Sequence, residues 1–168
     1  EISPIIRSAI FKGATSNGSK ILVYDSFANQ RLPEVLKSTS QEYIVYGFNR
    51  SGRDKNLEFR KFNEEGFISD LQSAMAVIGT GGFTLMSECV ALHKPYLAIP
   101  VTHQFEQIEN GLEIERHEFG AMTLAPDKNA IGHFLKYLPK YRRRLAAYKH
   151  PGNELAFAEI AKVVNAMV

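Results

Sequence analysis

Residues 77–110 read VIGTGGFTLMSECVALHKPYLAIPVTHQFEQIEN. The stretch opens inside a short apolar run, residues 75–78 (MAVI), which has the length and β-branched content of a buried strand. Gly79-Thr80-Gly81-Gly82 follows, and three glycines in four positions allow a tight turn. Residues 83–92 then carry Leu85, Cys89 and Leu92 in one row, the pattern of a helix laid on a sheet. Residues 96–99 (YLAI) form the next strand, stopped by Pro100. A polar loop, residues 100–105 (PVTHQF), leads into a helix over 106–117. Strand, turn, helix, strand, helix at this spacing describes parallel strands joined by crossover helices.

The same alternation continues outward in both directions. Residues 20–24 (KILVY), 43–48 (YIVYGF), 57–62 (LEFRKF) and 121–124 read as strands. Residues 32–38, 64–73, 128–138 and 154–167 read as helices, the last with Asn153 as its N-cap after the breaker Pro151-Gly152. Residues 13–19 (GATSNGS) and 49–56 (NRSGRDKN) are polar, rich in Gly, Ser and Asn, and read as loops. The expected fold is α/β: a single Rossmann-like domain with a parallel sheet of about six strands and helices on both faces.

Composition excludes several classes. The chain has 168 residues, 45% of them hydrophobic and 23% charged, which is the balance of a globular domain. A net charge of +2 gives no ground for nucleic acid as a partner. No apolar run reaches the ~18–20 residues of a membrane span. One cysteine excludes a disulfide framework and fits a reducing compartment, so a cytoplasmic location is expected. No signal peptide is visible, and the chain begins at Glu1, so we read it as a piece of a longer protein.

Open parallel sheets bind ligands beyond the carboxyl ends of their strands. Two loops leave such ends here. In the first, Gly79, Thr80, Gly81 and Gly82 lead into a helix whose N-terminus offers free N–H groups and a partial positive charge, a natural seat for phosphate. Thr80 and Thr84 add hydroxyls. Thr84 and Glu88, spaced i, i+4, share a face, and Glu88 stands ~10 Å beyond Gly81 at 1.5 Å per residue. A carboxylate so placed suits a ribose diol. The plainer reading is a tight turn with no guest and a solvated helix acid. In the second loop, His103 faces the same region, Glu106 and Gln107 open the next helix, and Asn110 shares a face with Gln107. An acid beside an amide suits a polyol, although an acid in a first helical turn is also favoured by the dipole alone.

These spacings resemble the donor-binding signature of GT-B glycosyltransferases, near the bacterial lipid-intermediate N-acetylglucosaminyltransferases (family 28) and the UDP-glucuronosyltransferase-like enzymes. The matching positions are Gly81-Gly82, Glu88, Pro95, Pro100, Glu106-Gln107 and Asn110. The match covers about a fifth of the chain. The resemblance implies that Gly79, Thr80, Gly81, Gly82 and Thr84 hold a diphosphate, with Asn110 supporting that loop. It implies Glu88 on the ribose, Glu106, Gln107 and His103 toward the donor sugar, and the base against Phe62 and Asn63 with Phe67 as a wall. The sequence departs from the family at His93, where Gly is frequent, and at Asp25-Ser26-Phe27, where a second glycine turn is frequent.

The resemblance further implies one half of a two-domain enzyme: residues 1–19 a linker from a missing N-terminal acceptor domain, residues 20–168 the nucleotide-sugar domain. The catalytic base is expected in the missing half, and the isolated domain is expected to be inactive. The donor is expected to be a nucleoside-diphosphate sugar, UDP-linked for preference, bound as substrate with no cofactor and no metal. Alternatives are a nucleotide-sugar epimerase or hydrolase on the same fold, or a donor-binding subunit of a split glycosyltransferase. Lys136, Lys140, Arg142, Arg143, Arg144 and Lys149 form an acid-free basic run, read either as a solvated face or as peripheral contact with a membrane or anionic lipid acceptor. The five histidines show no metal-ligand spacing.

Overall fold

The computed structural model describes residues 4–167. Its centre is a seven-stranded sheet. In chain order the strands are β1 Ile21–Tyr24, β2 Tyr43–Tyr46, β3 Gly52–Asp54, β4 Leu57–Phe59, β5 Ala76–Gly79, β6 Tyr96–Ala98 and β7 Gly120–Met122. The spatial order is β3-β4-β2-β1-β5-β6-β7. Leaving β3 aside, every pairing is parallel. Counted along the chain, those six strands follow the 3-2-1-4-5-6 order of a Rossmann sheet, whose direction of winding reverses between β1 and β5.

The helices are α1 Arg31–Lys37, α2 Glu64–Ser73, α3 Phe83–Ala91, α4 Phe105–Arg116, α5 Lys128–Ala147 and α6 Asn153–Asn165, preceded by a 3-10 turn at Ser8–Phe11. Strands with both faces covered need apolar residues at every position, and β2 is buried throughout. One core holds Leu22, Ile44, Val77 and Ala98 with Phe67, Leu71, Met86, Cys89 and Ile114 from α2, α3 and α4. The other holds Ile21, Val23, Ile78 and Leu97 with Leu36, Ile131, Phe134 and Leu138 from α1 and α5.

Three sequence expectations need correction. Residues 49–56 are not all loop: β3 pairs antiparallel with β4 as a hairpin, turning at Lys55 with φ +55°. Its residues Gly, Arg and Asp are exposed or half-exposed at the sheet edge, so no apolar alternation marked it. α5 does not stop near residue 138. It runs through Pro139 because Tyr141 and Leu145 continue the buried stripe begun by Ile131 and Phe134, and that burial outweighs the hydrogen bond a proline removes. Asn153 is not the cap of α6. Gly152 occupies that position at φ +88°, and the Asn153 amide instead bonds both backbone groups of Ile6, at 2.9 and 2.7 Å.

Lys94 has no solvent exposure. Its Nζ donates to the carbonyls of Ala74, at 2.8 Å, and Ser16, tying the 13–19 loop to the sheet. Burial pulls its pKa down to about 8.

Candidate functional site

The carboxyl ends of β1 and β5 lie side by side, Tyr24 in register with Gly79, at the point where the winding reverses. The glycine loop is built by its neighbours. The buried Tyr96 hydroxyl donates to Thr80 O at 2.5 Å. A Cβ on Gly79 would stand 2.5 Å from that hydroxyl, and one on Gly81 would stand 2.2 Å from Gln107 O. Asn110 Nδ2 donates to Gly81 O at 2.9 Å. α4 thus presses directly on the loop. Gly82 is the N-cap of α3 and supplies no side-chain acceptor, whereas Asn63 caps α2 and Asp127 caps α5. The first-turn N–H groups of α3 are left for a ligand or water.

Two cavities lie nearby, one beside α3 and one against the loop itself. One, of about 280 Å³, is lined by Arg7, Tyr24, Phe62, Phe67, Thr84 and Glu88, together with Leu85. Phe62 is 60% exposed at its mouth. Phe67 lies at its back, with ring centroids 5.5 Å from Phe62, 5.5 Å from Tyr24 and 5.2 Å from Tyr46. The contacts to Tyr24 and Tyr46 are edge-to-face and the one to Phe62 is tilted, both favourable arrangements for aromatic walls. The other cavity, of about 150 Å³, is lined by Asp25, Asn29, Gly79, Thr80, Pro100 and Thr102 among others. Asp25 accepts from the backbone N–H of Phe27 and of Asn29, both at 2.9 Å, which shapes the β1–α1 turn without glycine.

The sequence-predicted residues therefore fall into groups. Phe62, Phe67, Thr84 and Glu88 share the first cavity, and Gly79 and Thr80 line the second. Asn63 is adjacent, but its side-chain oxygen accepts from Gly66 N as the α2 cap. Gln107 Oε1 accepts from Val101 N at 3.0 Å, so this amide folds the 100–104 loop. His103, at φ +68°, and Glu106 are exposed and line neither cavity.

Glu88 is not a solvated helix acid. It is 1% exposed and held by Arg7, whose Nε and Nη2 reach its two oxygens at 2.5 and 2.9 Å. The Glu88 hydrogen bond pushes the Arg7 pKa up. Arg7, Tyr24 and Tyr96 are not marked as site residues by the sequence, and Asp25 is marked there only as a departure from a glycine turn. Tyr24 and Tyr96 looked like strand core, and Arg7 is 81 positions from its partner.

The basic run is partly committed to the fold. Lys140 and Arg144 both pair with Glu118, and Arg142 Nη2 donates to Met75 O at 3.2 Å. Among the described residues no helix is long and apolar enough to cross a membrane.

Sheet order and a glycine turn at the switch point define a Rossmann-like α/β domain. The sequence profile of Glycosyl transferase family 1 matches residues 2–139, and the chain belongs to that family. Its fold is half of a GT-B fold. Among solved structures, the spinosyn forosaminyltransferase SpnP superposes with a TM-score of 0.67 at 12% identity, covering 96% of this chain and 48% of that one. UGT2 of Phytolacca americana, solved with UDP-2-fluoro-glucose and pterostilbene, gives 0.68 at 15% identity, covering 96% and 46%. SnogD from Streptomyces nogalater gives 0.60 at 15%, covering 95% and 46%. The chain thus spans about half the length of these proteins. No curated protein sequence matches it significantly.

Proposed function

We propose that this chain is the nucleotide-sugar-binding half of a glycosyltransferase, which transfers a sugar from a nucleoside-diphosphate sugar to an acceptor. The observation that carries the reading is a pair of cavities near the N-terminus of α3, one lined by Thr84 and Glu88 and the other by Gly79 and Thr80. One is walled by aromatic rings with an acid at its side, as a nucleoside needs. The other opens beyond the strand ends, as a sugar needs. The diphosphate lies between them, over the uncapped N-terminus of α3.

In the reaction the acceptor oxygen attacks the anomeric carbon as the bond from that carbon to the diphosphate oxygen breaks. The acceptor proton passes to a base, which we assign to a domain outside this chain. The loop N–H groups and the α3 dipole stabilise the negative charge that gathers on the departing diphosphate. Os79 from O. sativa is solved with UDP and the Phytolacca enzyme with UDP-2-fluoro-glucose, so a UDP-linked sugar is the first candidate donor. Residues 1–19 are read as the link to an acceptor half. That half, or a separate acceptor subunit, would cover α6, whose Leu155, Phe157, Ile160, Val163 and Val164 are exposed. Contact with an anionic lipid acceptor on the cytoplasmic side would fall to Lys136, Arg143 and Lys149, which the fold leaves without ion pairs among the described residues.

Thermal melts with UDP, ADP and GDP, and with their sugar conjugates, test the proposal. A selective ligand raises the midpoint by mass action. Unchanged midpoints with all of them at millimolar concentration overturn it.

A further inference from the structure

Glu88 is the acid that the proposed reading sets against the ribose, and Arg7 closes it off. Its side chain is 2% exposed, and the Arg7 guanidinium covers both oxygens. A diol must touch a carboxylate oxygen to donate to it. Little of the Glu88 side chain is open to the cavity, so a ribose takes both oxygens only if Arg7 moves.

The surroundings allow the side chain to move while its backbone stays. The Ile6 backbone is bonded on both sides by Asn153. Ile6 and Ile10 are buried in the core, and Gln72 Nε2 donates to Ile10 O at 2.9 Å. The Arg7 side chain, by contrast, is 39% exposed and forms part of the cavity wall with Tyr24, Phe62 and Thr84. It also has a second acid within reach. Nη1 donates to Glu64 Oε1 at 2.9 Å, and Glu64 is 63% exposed at the first position of α2. A guanidinium leaving Glu88 therefore keeps a charged partner on the solvent side.

We propose that Arg7 is a side-chain latch on Glu88: an arriving ribose diol takes the Glu88 oxygens as the guanidinium swings toward Glu64. The inference rests on the nucleotide-binding reading and adds a specificity device to it. Because Arg7 competes for Glu88, only a ligand with hydroxyls to donate opens the latch, and the closed state lowers apparent affinity by its population. Arg7 acts through Glu88 and is a positioning residue.

The test is calorimetric titration of the 168-residue chain, its Arg7→Met variant and its Glu64→Gln variant with UDP, ADP and GDP and their 2′-deoxy counterparts. Removing the latch opens Glu88, so Arg7→Met tightens the preferred ribonucleotide by about tenfold, roughly the worth of one charge-assisted hydrogen bond. The 2′-deoxy analogue gains less, so the ribose-to-deoxyribose ratio rises. Glu64→Gln takes away the second acid, holds Arg7 on Glu88 and weakens the ribonucleotide more than its 2′-deoxy analogue. Weaker ribonucleotide binding by Arg7→Met, or an unchanged ratio in both variants, overturns the latch while nucleotide binding stands. If Arg7→Met fails to fold, an unchanged ratio in Glu64→Gln alone overturns it. If no nucleotide binds any of the three proteins, the nucleotide reading and the latch fall together.

Discussion

A Cβ built on Gly81 would stand 2.2 Å from the backbone carbonyl oxygen of Gln107 and 2.8 Å from its carbonyl carbon. The glycine loop is therefore narrow because α4 lies against it, before any ligand arrives. Asn110 reinforces the contact from the same helix by donating to Gly81 O.

Gly81→Ala should accordingly destabilise the chain with no ligand present. Neither backbone segment can yield as a flexible side chain would, and overpacking of this kind costs about 1–3 kcal/mol. For a domain of this size, each kcal/mol lowers the melting midpoint by about 2–4 °C. An unchanged midpoint in the ligand-free variant would show that the contact relaxes freely.

Gln107 is bound into the loop that bounds the smaller cavity, through Val101 N and Gln104. Gln107→Ala leaves the part-buried Val101 N–H without its acceptor, at about 1 kcal/mol, and loosens residues 100–104. Affinity for a nucleotide sugar should fall, while affinity for the bare nucleoside diphosphate stays within about twofold. Paired titrations with UDP-glucose and UDP decide this. Equal losses for the two would place Gln107 on the diphosphate side.

His93 has φ +56°, where a Cβ is strained, and it is the position at which the resemblance expected glycine. His93→Gly should raise stability by about 1 kcal/mol, since left-handed backbone costs a non-glycine residue roughly that much. The loss of the exposed hydrogen bond from its ring to Tyr148 O offsets part of the gain. His93→Val should lower stability, because branching at Cβ worsens the same conformation. Urea unfolding of the two variants tests the pair, and a Val variant as stable as the Gly variant refutes it.

Lys94 gives a signature in pH. Its folded pKa of about 8 lies below the unfolded value of 10.5. Between these two values the unfolded chain binds more protons at this site, so its contribution to stability rises with pH. Below about pH 8 both states carry the charge, and the full burial penalty applies. Tyrosines with raised pKa values, Tyr46 pushed up to about 12 among them, oppose the trend near the top of the window. The measurement is therefore a difference: wild type minus Lys94→Met, by chemical denaturation from pH 7.5 to 10. That difference should climb with pH, and a flat one would mean that Lys94 titrates as in water.

The sequence by itself determined the strand–helix alternation, the glycine loop between β5 and α3, and the Thr84–Glu88 spacing. These are signals within a turn or two of chain, where periodicity of 2 or 3.6 residues and the conformational freedom of glycine act locally. Phe62 and Phe67 were brought together only by the resemblance, since an aromatic in a short apolar run reads equally well as core. The tertiary structure alone decided what each of these residues faces. Arg7 meets Glu88 because the segment before β1 packs its Ile6 and Ile10 into the core beside α2 and α3. Asn153 serves Ile6 rather than its own helix, and Gly81 answers to Gln107. A polar side chain fits many partners equally well in the sequence. The choice among them is made by hydrophobic burial elsewhere, which brings distant backbones to fixed positions and leaves each polar group the partner within reach.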